Sequence, residues 1–114
     1  MGTFEDLEVW KRAVKLSADL YRAFAELRDY GFKDQITRAG LSVASNIGEG
    51  MERETKADKM RILGIAKSSC GELRTQVFIG IDIKYIDGEV GRRWIEETRE
   101  ISAMLVGLIR SLRR

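Results

Sequence analysis

Proline and histidine are both absent from this chain of 114 residues, and there is one cysteine, Cys70. Proline is the strongest helix breaker, so its absence leaves long helices uninterrupted. Without histidine there is no Ser-His or Cys-His catalytic pair, no imidazole metal ligand and no ordinary switch near neutral pH. A single cysteine excludes an intrachain disulfide and CxxC chemistry, and it fits a reducing compartment. No apolar run reaches the ~18 residues of a membrane span, and no N-terminal apolar segment reads as a signal peptide. The expectation is a bacterial-type cytoplasmic protein with no membrane partner. An excess of one charge is also missing: 20 Lys and Arg stand against 18 Asp and Glu, a net charge of +2. That balance does not by itself point to nucleic acid. The second half is mildly basic and ends in Arg110, Arg113 and Arg114.

What is present is helical periodicity. Thr3 and Asp6 have the spacing of a capping box, and a first helix is predicted to follow as far as Tyr30. Leu7, Trp10, Val14, Tyr21 and Phe24, with Ser17 between, form a heptad seam, widened by Ala13, Leu16, Leu20 and Leu27. Tyr30-Gly31 reads as the stop. A second helix is predicted from about Lys33 to Glu49, with Ile36, Val43 and Ile47 on its apolar side. Its glycines cost about 1 kcal/mol each relative to alanine, so Gly40 and Gly48 imply that a neighbouring backbone approaches closely. Gly48-Glu49-Gly50 reads as its end.

Thr55 is the next cap, and nothing breaks the helical pattern from there to about Ile86. This third helix carries two stripes. Met60, Leu63, Ala66, Cys70, Leu73, Val77 and Ile81 form one. Ile62, Ile65, Ser69, Gln76, Ile79, Ile83 and Ile86 form the other. The β-branched run from Val77 to Ile83 has the look of a strand, but the two stripes and the length decide for helix. Asp87-Gly88 reads as a turn. The last helix, from about Glu89 to the C-terminus, repeats Trp94, Thr98, Ile101, Leu105, Leu108 and Leu112 at alternating spacings of three and four. The predicted fold is all-α: a single domain over residues 1–114, built as an antiparallel up-and-down four-helix bundle with short connections. Each helix of a bundle needs one apolar stripe. The surplus stripe on the third makes Ile62, Ile65, Ile79 and Ile83 the candidate oligomer interface.

The residues also carry a resemblance. Phe4-Glu5-Asp6-Leu7-Glu8-Val9-Trp10, Gln35-Ile36-Thr37-Arg38-Ala39, Ser42-Val43-Ala44-Ser45-Asn46-Ile47-Gly48-Glu49-Gly50 and the later Ser68-Ser69, Glu72-Leu73 and Thr75-Gln76 resemble the four-helix-bundle proteins encoded in intervening sequences of bacterial 23S ribosomal RNA genes. The resemblance covers essentially the whole chain. Ala44 stands where members usually carry proline, and Gly48 where they usually carry alanine; both are compatible with a regular helix. The resemblance implies a homo-oligomer, with related bundles forming pentameric barrels. A related bundle serves as an accessory partner of a reverse transcriptase and its RNA, which implies RNA or an RNA-associated protein as partner, by analogy of fold.

Candidate sites are few. Arg53, Lys56, Lys59, Arg61 and Lys67 cluster around the start of the third helix and are the candidate RNA- or partner-binding residues, although Glu52, Glu54 and Asp58 interrupt them. A solvated face with local ion pairs is the plainer reading. Ser45, Asn46, Glu49 and Gly50 form the motif's polar cluster, and short polar residues near a helix end usually satisfy backbone groups, here with Arg38 or a neighbouring helix. Glu72 reads as an ion-pair partner, because a ferritin-like metal site needs Glu-x-x-His pairs. Cys70, Trp10 and Trp94 read as core. No P-loop, nucleophile constellation or acid-base pair is visible. The expectation is a non-enzymatic scaffold with no cofactor, metal or small-molecule substrate. A protein-interaction module without nucleic-acid affinity is the alternative.

Overall fold

The computed structural model describes residues 2–114, so Met1, the first residue of the expected domain, lies outside the described residues. Four helices and no strands occur among the described residues: α1 (Glu8–Ala23), α2 (Tyr30–Met51), α3 (Lys56–Asp82) and α4 (Gly88–Leu112), preceded by a 3₁₀ turn at Phe4–Asp6. α1 and α3 each pack against both α2 and α4, and not against each other. The molecule measures 44 × 22 × 19 Å. The longest extent is close to the ~40 Å that the 27 residues of α3 span at 1.5 Å per residue.

The Thr3 cap is real but closes only the 3₁₀ turn. Thr3 Oγ1 accepts from the Glu5 amide at 3.2 Å, and the Thr3 amide donates to Asp6 Oδ2 at 3.1 Å. Leu7 is then extended, and α1 begins at Glu8. α1 also stops seven residues before Tyr30. Phe24 turns inward against Phe32 and Trp94, with ring centroids 5.9 Å away in both cases. The Tyr30-Gly31 pair starts α2 instead of ending α1. The reason is Asp29, whose Oδ1 accepts from the Phe32 amide at 3.1 Å, as a good N-cap does. Lys33 Nζ donates to the Ala25 carbonyl at 2.9 Å and satisfies an acceptor left by the end of α1.

α2 runs through its glycines to Met51. A Cβ on Gly40 would lie 2.5 Å from Leu20 Cδ1, and one on Gly50 would lie 3.2 Å from Ile62 Cβ. Side chains, not the expected backbone, make the close approach, with Leu20 at Gly40 and Phe4 Cε1, 3.1 Å away, at Gly48; these glycines serve packing, not helix termination. α3 starts where expected: Thr55 Oγ1 accepts from the Asp58 amide at 3.1 Å. It ends at Asp82, short of Ile86, because Lys84 adopts a left-handed conformation (φ 66°). The amides of Tyr85 and Ile86 then both donate to the Gly80 carbonyl, at 2.9 and 3.1 Å, a Schellman-type closure. Ile86 thereby swings into the core over Gly80. Asp87 caps α4, its Oδ2 accepting from the amides of Glu89 and Val90 at 3.1 and 3.2 Å.

One cluster of buried apolar side chains fills the centre, including Leu16, Leu20, Ile36, Val43, Ile47, Leu63, Leu73, Val77, Ile101 and Leu105. On α1 the core stripe is Val9, Ala13, Leu16, Leu20 and Phe24, while Val14 and Tyr21 of the expected seam are exposed. The buried face is thus the Ala13, Leu16 and Leu20 side that widens the expected seam, and the seam's Val14 and Tyr21 fall on its solvent edge. Trp10 and Trp94 are partly buried against the core.

Candidate interaction surfaces

The two stripes of α3 part company. Leu63, Ala66, Cys70, Leu73 and Val77 are buried. Of the second stripe, Ile65, Ile79 and Ile83 are 42%, 48% and 46% exposed. Ile62 is the correction: it is only 4% exposed and packs against Gly50, so it belongs to the core side and presents no free surface. Ser69 and Ile86 are likewise buried. Phe78, which stripe counting leaves aside, is 50% exposed, and Leu41 on α2 adds another exposed apolar side chain. Between them, Gln76 buries its Oε1 with no donor among the described residues. Exposed apolar atoms and an orphaned acceptor on one helix are surplus to what this chain can cover.

The cations expected to form a binding rim are mostly engaged. Arg53 Nη2 donates to Glu49 Oε1 at 2.7 Å, and this bond holds the Arg53 guanidinium above its ordinary pKa. Lys56 Nζ donates to the Arg114 carbonyl oxygen at 2.6 Å, and Lys59 Nζ to the Met51 carbonyl at 2.7 Å. Arg61 lies 3.6 Å from Asp58. Lys67 stands apart: no ion pair among the described residues involves Lys67, Arg74 or Arg113.

The motif residues divide in the same way. Asn46 Nδ2 donates to the carbonyl and hydroxyl of Ser42 at 2.8 and 2.9 Å, and the Ser42 and Ser69 hydroxyls bond at 2.9 Å. This network ties α2 to α3. Glu49 pairs with Arg53, and Gly50 is buried. Arg38 pairs with Asp34, not with the motif. Ser45 and Glu72 are exposed, and Glu72 has no ion-pair partner among the described residues.

Arg12 bridges α1 to α4. Its guanidinium donates to Glu97 through two nitrogens and to Glu100 at 2.6 Å, and these bonds raise its pKa. Cys70 is buried, and desolvation pushes its thiol up to about 11. Among the described residues no three His, Cys, Asp or Glu side chains converge as a metal site, and no helix is long and apolar enough to cross a membrane.

Between α3 and α4 lies an open groove of about 460 Å³, lined by Lys67, Arg74, Arg113, Ser68, Ser102, Met60, Ile109, Gly64 and Gly71. Arg74 Nε donates to Thr98 Oγ1 at 3.0 Å. Thr98, fully buried, donates in turn to the Ile95 carbonyl at 2.6 Å. Sequence reading missed this groove because its cations come from two helices. The one visible signal was that Lys67 and Arg74 are seven residues apart.

These features define a class: an all-α chain with four helices and no strands among the described residues. Residues 5–107 match the family described as 23S rRNA-intervening sequence protein, and the chain belongs to that family. A solved structure from Bacteroides thetaiotaomicron VPI-5482, described as a protein with unknown function from the S23 ribosomal protein family, has the same fold, with a TM-score of 0.83 at 24% identity. The similarity covers 89% of this chain and 97% of that one. No curated protein matches the chain.

Proposed function

We propose that this chain is a non-catalytic, self-associating helical scaffold that carries RNA or an RNA-associated protein. The observation that supports it most is the outer side of α3, where Ile65, Ile79 and Ile83 are exposed together. Large apolar side chains exposed side by side on a helix mark a surface that a partner covers. The antiparallel up-and-down course is part of the same reading. Contacts between α1 and α4 pair Arg12 with Met104 and Phe24 with Trp94, so residue numbers rise on one helix as they fall on the other. Ser42 with Ser69 and Gly50 with Ile62 support the same sense for α2 and α3. The chain is then one domain that assembles through α3, as a pentamer if it follows the related bundles, and works in the cytoplasm.

A second reading, a protein-interaction module without nucleic-acid affinity, is favoured by the engagement of Arg53, Lys56, Lys59 and Arg61. Light scattering at micromolar concentration tests the scaffold. A particle near five times the 13.0 kDa subunit is expected, and a monodisperse 13.0 kDa species contradicts it. Anisotropy with a labelled single-stranded RNA at low salt separates the two readings, with binding expected for the first and none for the second.

A further inference from the structure

Three of the cations without an ion pair lie together in a different place from the rim. Lys67, Arg74 and Arg113 line the α3–α4 groove, and no carboxylate lines it. The Arg74–Thr98 bond uses only Nε and pins the guanidinium, so both terminal nitrogens remain for an anion. At Gly64 and Gly71 a Cβ would meet nothing within 4 Å, so a ligand can come down to the α3 backbone there.

The spacing decides what kind of anion fits. Lys67 and Arg74 are seven residues apart, about 10 Å along the helix axis. The Lys56–Arg114 bond and the shared lining by Met60 put Arg113 beside the first turns of α3, about another 10 Å beyond Lys67. Cations strung out at such intervals do not converge on one small anion; a chain with repeating negative charge can use all three. Phe78, half exposed, follows Arg74 by four residues and therefore lies on the same side of α3. A basic track beside an aromatic face is the combination that single-stranded nucleic acid requires, because phosphates take the cations and a base stacks on the ring.

We propose that the α3–α4 groove holds the sugar–phosphate backbone of single-stranded RNA, with Phe78 as a base platform. The proposal rests on the RNA arm of the scaffold reading. It is tested by fluorescence anisotropy of the full chain with a labelled oligouridylate across a salt series. The variants are Lys67→Ser with Arg113→Ser, and Gly71→Asp, which adds a carboxylate where the groove is open. Arg53→Ser with Arg61→Ser serves as the rim control, and circular dichroism and native mass are measured for each. Loss of two phosphate contacts should reduce the slope of log affinity against log salt by about 1.4, which is about sixty-fold in affinity near 50 mM salt. Gly71→Asp should also weaken binding, and the rim pair should leave it unchanged. Weakened binding in the rim pair with unaltered groove variants overturns the groove and leaves the RNA reading standing. No RNA binding by the unmodified protein overturns both, and capture of a polyglutamate peptide without RNA would assign the groove to an acidic protein.

Discussion

Cys70 shows how burial decides reactivity at a single residue. Lys67 and Arg74 are within a turn of it in sequence, and a positive neighbour lowers a thiol pKa. Desolvation outweighs that attraction, and the thiol is raised from 9.0 to about 11. It should stay unmodified by iodoacetamide at pH 8 in the native state and react once the chain is unfolded. A pKa raised on folding means that the folded form keeps its proton over a range where the unfolded form has lost it. The stabilisation is fully present below pH 9.0 and disappears as pH rises toward about 11. Thermal melts from pH 8 to 11 should therefore fall more steeply for the native chain than for Cys70→Ala; parallel curves would contradict the assignment. Asp29 has the opposite sign. Its carboxylate accepts from the Phe32 amide and the Tyr85 hydroxyl, which holds its pKa below 3.8. What it contributes is present above that value and is lost as pH falls through the lowered one, so Asp29→Asn should flatten the acid limb of the melting curve.

Among the elements, the glycines carry opposite expectations. At Gly80 a Cβ would clash with Ile86 Cδ1 and lie 3.1 Å from Phe32 Cζ, and Ile86 is locked in the core. Gly80→Ala should destabilise the fold by about 1–3 kcal/mol, as overpacking does. Gly107, with nothing within 4 Å of its Cβ position, should gain about 1 kcal/mol on conversion to alanine. Urea denaturation of the two variants checks both signs. The number and kind of elements were legible in the sequence because apolar periodicity and the Thr55 cap are local signals. The ends of α1 and α3 were not. Gly31 has the residue type of a helix stop, yet among the described residues no glycine adopts positive φ, and Lys84 does so instead. Those ends are set by Phe24 and Ile86 turning into a core that only the assembled helices create. The rim failed for a related reason: its cations were counted without the carbonyl and carboxylate acceptors that the fold brings to Lys56, Lys59 and Arg53. The groove cations were invisible as a set because two come from α3 and the third, Arg113, from the C-terminal cap of α4.

For the whole molecule, the outer side of α3 is the feature that a single subunit leaves unexplained. The core stripe, with Ile62 joined to it, accounts for packing against α2 and α4. Among the described residues Ile65, Ile79 and Ile83 have no covering element, and the buried Gln76 acceptor has no donor. A ring of copies would cover the first and could supply the second. It would also repeat the α3–α4 groove around the assembly, so that weak contacts at each groove act together on one RNA strand. The most direct test of this account is sedimentation velocity combined with circular dichroism on Ile79→Glu with Ile83→Glu. The predicted result is a 13.0 kDa monomer with undiminished helix content, because carboxylates on an exposed face break assembly and spare the core. An assembly of unchanged mass, or a monomer that has lost its helices, would contradict it.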